Sequence, residues 1–208
     1  MQQPAPSSDD SILEARARAW AQARMSAKRF HHSQGVVETV TQLARQHHLE
    51  PVNALRLAGW IHDAAKELSD TGLLEHAERF GLPIRPVERQ APLLLHGAVA
   101  AELAREELGL HDPVTLSAVT YHITGHPEMS TADKAFYLAD LIEPGRDFKE
   151  VAQLRRLAAE DLDWALLFGI TGQLRHLLKR AAAIDPRVLE LRNRLIADGV
   201  PLAARDKA

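Results

Sequence analysis

The sequence predicts an all-α domain, and three observations carry that prediction. Apolar residues recur at three-and-four spacing, and nowhere do they alternate singly with polar residues over a sustained stretch. Aromatic residues make up only 5% of a chain that is 46% hydrophobic, so its core must be built mainly of Leu, Ala, Val and Ile, a mixture that favours helices. Helix caps and stops (Asp112-Pro113, Pro144-Gly145, Gly109) punctuate the chain at helix-length intervals.

The elements follow in order. Residues 1–9 are rich in Pro, Ser and Gln and are expected to be a disordered tail. Asp10 or Ser11 caps a first helix that reaches about Lys28 and carries Ile12, Leu13, Ala19 and Trp20. Val36, Val37, Val40, Leu43 and Ala44 form the apolar face of a second. Pro51 opens a third at its tolerated first-turn position, with Val52, Leu55, Ala58 and Ile61 inward and His62-Asp63 in the last turns. A fourth, shorter helix follows Asp70-Thr71-Gly72 and stops at Gly81-Leu82-Pro83. A fifth spans about Pro92 to Leu108 and is closed by Gly109. A sixth runs from the Asp112-Pro113 cap to about His122, and Thr124-Gly125-His126-Pro127 breaks it. Ser130 and Asp133 resemble a capping box for a seventh, which ends at Ile142. Two more fill 150–182 and 186–198. No repeat, heptad array or linker divides the chain, so residues 10–208 are expected to form one domain.

Charge and composition exclude several roles. A net charge of −3 and a pI near 6.4 give no global attraction to nucleic acid or to an anionic membrane. The chain has no cysteine, which removes disulfides, thiolate metal sites and cysteine nucleophiles. The N-terminal residues lack a basic segment followed by an apolar one, and the longest nearly apolar run, Trp164 to Ile170, is too short for a bilayer. The expectation is a soluble cytoplasmic protein.

Chemistry concentrates in a few residues. His62-Asp63 sits at the end of an apolar stretch and offers an imidazole beside a carboxylate, the usual nitrogen and oxygen ligands of a divalent metal. His32 lies upstream, and His96, His122 and Asp140 downstream. A lone helical histidine is more often a surface or core residue, and His62-Asp63 alone is as readily a chance pair. Asp140 is harder to dismiss, because Leu138, Ala139, Leu141 and Ile142 flank it and a buried carboxylate needs a partner. Together the six suffice for two metal ions. Asp63 is the candidate bridge and His62 a terminal ligand; His32 and Asp140 would complete one ion's shell, and His96 and His122 would hold the other. Two metals in one site usually serve phosphate ester or anhydride hydrolysis. Imidazole suits iron, zinc, manganese or nickel better than magnesium.

Arg29, Lys66 and Arg146 each lie close in sequence to a candidate ligand. Any one of them reads as a solvated surface charge. Three beside three separate ligand segments point to a polyphosphate pocket.

Five segments carry a closer likeness: Arg29-Phe30-His31-His32-Ser33-Gln34-Gly35-Val36, Gly59-Trp60-Ile61-His62-Asp63-Ala64-Ala65-Lys66, Leu95-His96-Gly97, Tyr121-His122-Ile123-Thr124-Gly125, and Tyr137 through Phe148 with Ala139-Asp140-Leu141-Ile142-Glu143-Pro144-Gly145-Arg146 inside it. In order and content, over roughly residues 28–165, they resemble the HD-domain metal-dependent phosphohydrolases of the symmetrical bis(5'-nucleosyl)-tetraphosphatase (YqeK-type) family. The resemblance implies an HD-type helical bundle, a di-iron type centre, and cleavage of diadenosine tetraphosphate to two ADP. It implies His32, His62, Asp63, His96, His122 and Asp140 as metal ligands, and it selects His32 over His31. Iron is the implied metal, with manganese, nickel, cobalt or zinc as alternatives. Arg29, Lys66, His96, His122, Glu143, Gly145 and Arg146 would meet the nucleotide. The C-terminal match, at Arg192 and Asn193, is weak.

The mechanism expected from this set has a hydroxide bridging the two ions attack a central phosphorus in line, with Asp63 and Lys66 as catalytic residues and Lys66 steadying the ADP that leaves. The alternatives are an HD nucleotidase or phosphodiesterase acting on other nucleotides, and a non-catalytic metal or nucleotide sensor. The expected partners are a dinucleoside polyphosphate or ADP, without nucleic acid or membrane, and a homodimer is open.

Overall fold

The computed structural model describes residues 8–201. Among these residues the chain forms α1 (Ser8–Gln22), α2 (Ala27–Gln46), α3 (Val52–Ile61), α4 (Asp70–Arg79), α5 (Pro86–Gln90), a 3-10 turn (Pro92–Leu95), α6 (His96–Leu108), α7 (Pro113–Tyr121), α8 (Thr131–Ile142), α9 (Val151–Glu160), α10 (Leu162–Lys179) and α11 (Pro186–Ala197), with no strand. The all-α expectation holds. No described helix is long and apolar enough to cross a membrane.

Several ends fall where local chemistry placed them. Asp112 accepts from the Thr115 amide at 2.7 Å, and Ser130 and Asp133 form the expected capping box of α8. Gly109 closes α6 in the left-handed region, at φ 67°.

Others were not legible. The first helix ends at Gln22 instead of about Lys28, because Ser26 is extended and gives its amide to Glu67 at 2.9 Å. Most of the tail expected over 1–9 lies outside the described residues, and α1 already includes Ser8. The single helix expected from Pro92 to Leu108 opens as a 3-10 turn, so His96 becomes the first residue of α6. The short helix α5 was not anticipated. The stretch 150–182 is two helices, since the Asp161 carboxylate takes the amides of Asp163 and Trp164 at 2.9 and 3.0 Å and starts α10 anew. His62 and Asp63 lie just past α3, His62 as its C-cap.

Packing then gathers helix ends. α2 lies against α3 and α8, α3 against α1 and α7, α7 against α6 and α8, and α8 against α10. The core runs through Leu55, Ile61, Leu95, Phe136, Leu138 and Leu166, each fully or almost fully buried and each worth about 1.5–3 kcal/mol by transfer. Gly59 sets the α2–α3 spacing: a Cβ there would stand 2.6 Å from Val37 Cγ2. That close approach carries His32 on α2 to the end of α3.

Candidate metal centre and its cleft

Six side chains from five places in the fold converge. His32 projects from α2, His62 and Asp63 from the end of α3, His96 from the start of α6, His122 from the end of α7, and Asp140 from α8. Donor atoms of His32, His62 and Asp140 lie within 4.8 Å of one another, as do those of His62, Asp63 and His122. His96 Nε2 is 3.0 Å from Asp63 Oδ1 and 3.1 Å from His122 Nε2. His32 Nε2 is 2.9 Å from Asp140 Oδ1 and 3.4 Å from His62 Nε2. Asp63 stands between the two groups. Its Oδ1 faces His96 and His122, the latter at 3.7 Å, while Oδ2 faces His62 at 3.7 Å and His32 at 4.0 Å. His31, the neighbour of His32, is exposed and takes no part.

The backbone presets the tautomers. His62, His96 and His122 each direct Nδ1 at the carbonyl three residues earlier, namely Gly59 at 2.9 Å, Leu93 at 2.6 Å and Val119 at 2.7 Å. His32 turns Nδ1 to Glu143 Oε1 at 3.1 Å. All four Nε2 atoms therefore aim inward, the arrangement by which an outer partner orients a metal-binding histidine.

The charges are shaped to match. Burial pushes His62 down to about 3 and His96 down to about 4, so both imidazoles are neutral at pH 7. Burial raises Asp63, but His62, His122, His96 and Lys66 together outweigh it and hold the carboxyl well below the usual range. Asp140 is lowered in the same way, burial being overcome by His32, His62 and Arg146. His32 goes upward: burial lowers it, and the bond to Asp140 more than reverses that.

This donor set fits a pair of cations. A neutral imidazole carries one N–H. His96 nevertheless faces an acceptor on each side, the Leu93 carbonyl and the Asp63 carboxylate. Burial disfavours the doubly protonated ring, so one contact sets lone pair against lone pair unless a cation lies at Nε2. His122 Nε2, bare because Nδ1 is engaged, adds a second lone pair to the same spot. Mixed nitrogen and oxygen donors suit iron, manganese or zinc better than magnesium.

Three cations meet the two carboxylates. Lys66 Nζ is 3.0 and 3.1 Å from the oxygens of Asp63, Arg29 Nη1 is 3.0 Å from Asp63 Oδ2, and Arg146 Nη2 is 2.8 Å from Asp140 Oδ1. Glu143 is 5% exposed and turned inward, with Oε1 on His32 and Oε2 accepting from the Gly145 amide at 2.6 Å. The Gly145 amide is spent in that bond.

Sequence reasoning missed Arg155. From α9 it donates to the carbonyls of Ile142, Glu143 and Arg146 at 2.9, 2.8 and 3.1 Å and so pins the loop that bears Glu143 and Arg146. Nothing in its local pattern separates it from a solvated arginine. A cleft of about 880 Å³ adjoins the centre and is walled by α10, α11 and the loop after α8, with Thr124, Arg146, Trp164, Gln173, Arg175 and Arg192 among its lining residues. Asn193 is exposed outside that lining.

The HD domain profile matches residues 29–145. The chain is 33% identical over 174 residues to a protein of Halalkalibacterium halodurans named bis(5'-nucleosyl)-tetraphosphatase, symmetrical, covering 84% of this chain and 92% of the relative. A Bacillus subtilis protein of the same name is 31% identical over 179 residues, 86% of this chain and 95% of the relative. A crystal structure from Clostridium acetobutylicum, described as a predicted HD superfamily hydrolase involved in NAD metabolism, superposes with a TM-score of 0.84 at 34% identity, covering 93% of this chain and all of the other.

Proposed function

This chain belongs to the HD-domain family, and from that premise we propose that it is a metal-dependent hydrolase that splits diadenosine tetraphosphate symmetrically into two ADP. The observation that carries the reading is His96 caught between two acceptors, with Asp63 spanning both histidine groups. His32, His62, Asp63, His96, His122 and Asp140 would hold two ions, iron first, with manganese, nickel, cobalt or zinc as alternatives. When bound, the ions supply charge for the phosphoryl oxygens and bring the pKa of a water toward neutrality.

The chain's own groups do the rest. Asp63 offers one oxygen to each half of the centre. Lys66 and Arg29 meet Asp63 and Arg146 meets Asp140, placed to take phosphate charge as it develops. Lys66 steadies the departing ADP, which leaves as an anion and needs little protonation. His96 and His122, 2% and 3% exposed, form the floor and meet the nucleotide only at its reacting phosphates. The adjoining cleft takes the nucleotide beyond those phosphates.

The test joins two measurements on protein purified without chelator, elemental analysis and chromatography of the reaction products. Stoichiometric transition metal with ADP as sole product supports the reading. Products of ATP and AMP, or no cleavage by a chain loaded with two metals, overturn it. A second reading keeps the hydrolase and changes the dinucleotide, since one solved relative is described with NAD metabolism. NAD in the same assay separates the two.

A further inference from the structure

We propose that Gln173 binds a phosphate oxygen of the nucleotide, its amide being aimed into the cleft by the hydroxyl of Tyr137; this rests on the nucleotide reading above. Tyr137 lies on α8, is 2% exposed, and donates its hydroxyl hydrogen to Gln173 Oε1 at 2.5 Å. Burial, with Asp140 nearby, keeps that hydroxyl protonated and hence a donor. That hydrogen goes to the oxygen end of the amide. Oxygen points toward the hydroxyl, and the amino group points away.

Gln173 lines the cleft together with Arg146, Thr124 and Arg175. Among the described residues, no hydrogen bond uses its amide nitrogen. Tyr137 precedes Asp140 by three residues, about one helical turn or ~5 Å along the axis. The amide thus lines the same cleft as Arg146, the arginine that reaches Asp140. The competing explanation is that Gln173 only accepts from a buried tyrosine and does nothing else.

Gln173→Glu separates the two. A carboxylate still accepts the Tyr137 hydrogen, so packing survives, but it sets a negative charge against the phosphates. Metal-loaded wild type and variant are compared by calorimetry with ADP, pyrophosphate and adenosine, and by kinetics with diadenosine tetraphosphate. The expected result is weaker ADP and pyrophosphate binding and a KM raised by about 10-fold or more, with adenosine binding, kcat, metal content and melting temperature unchanged. Tyr137→Phe, which frees the amide to turn, gives a smaller rise in KM. ADP and pyrophosphate affinities equal to wild type overturn the proposal, and so does a fall in metal content that accounts for the loss. Symmetrical cleavage with an indifferent Gln173→Glu removes this inference alone. ADP binding that depends on Gln173 without any cleavage removes only the hydrolase reading. A wild type that binds neither ADP nor pyrophosphate removes both.

Discussion

Glu143 Oε1 lies 3.1 Å from His32 Nδ1, and the other oxygen of the same carboxylate holds the Gly145 amide. One side chain therefore ties the loop after α8 to an imidazole on α2 and fixes which nitrogen that imidazole turns inward. Removing it leaves His32 in place but free to rotate. Glu143→Ala should lower metal affinity by about 10–100-fold, the usual effect of an outer partner on a metal-bound histidine. Competition against a chelator measures this, and unchanged affinity would show that the contact does not orient His32.

Asp63→Ala should cost more, because it removes the group shared by both halves of the centre. Both ions and turnover should be lost together, by well over the ~100-fold typical of an outer partner. A variant that keeps full metal content and normal rate is incompatible with a bridging role.

Gly97 is required by its neighbour. A Cβ there would stand 2.5 Å from the Val119 carbonyl and 3.1 Å from the His122 ring, and that carbonyl is the acceptor for His122 Nδ1. Gly97→Ala should destabilise the fold by about 1–3 kcal/mol, as overpacking does, and should weaken metal binding as well. Denaturation and metal titration read the two effects separately, and a variant equal to wild type in both contradicts the packing argument.

Arg155→Lys keeps the charge but cannot reach three carbonyls. Hydrogen exchange should quicken over residues 143–147 while the helices stay protected. With Arg146 and Glu143 less well placed, kcat/KM should drop by about 10-fold, the loss of roughly one charge-assisted contact. Unaltered exchange in the loop would show that α9 does not pin it.

Arg187 offers a pH test outside the six candidate ligands. It bonds Asp185 at 2.7 and 2.9 Å and Glu88 at 2.5 Å, where both carboxylates are nearly inaccessible. Burial raises Asp185, yet the bonds from Arg187 outweigh it and lower the carboxyl. A lowered carboxyl contributes stability above its unfolded pKa of about 3.9 and loses it as pH falls through the folded value. Arg187→Ala should cost about 3 kcal/mol at neutral pH, the low end for breaking a buried pair, and that deficit should shrink below about pH 4. Denaturant melts across pH check the slope, and a deficit constant with pH contradicts the assignment.

Much of this was legible in one dimension. The caps at Asp112, Ser130 and Gly109 act through neighbours three to five residues away, so spacing reveals them. The breaks at Ser26 and Asp161 were hidden for different reasons. Ser26 is held extended by Glu67, a contact 41 residues distant, whereas Asp161 competes for local amides inside a strongly apolar run and its capping went unnoticed. Glu143 shows the same limit at the centre: its loop was marked out, but a carboxylate in an exposed-looking turn gives no sign that it will be spent on His32.

What the chain determined by itself was the donor inventory and the helix periodicity, because ligand chemistry and an apolar face are properties of residue type and spacing. Tertiary packing decided which nitrogen His32 presents, since that depends on Glu143, 111 residues along the chain, whereas His62, His96 and His122 are oriented by carbonyls three residues back. It also decided that Asp63 faces two groups at once, that Glu143 looks inward, that Arg155 reaches the loop after α8 and that Tyr137 reaches Gln173. Those outcomes follow from helix ends brought within a few ångströms by close approaches such as that at Gly59, and no local pattern records such distances.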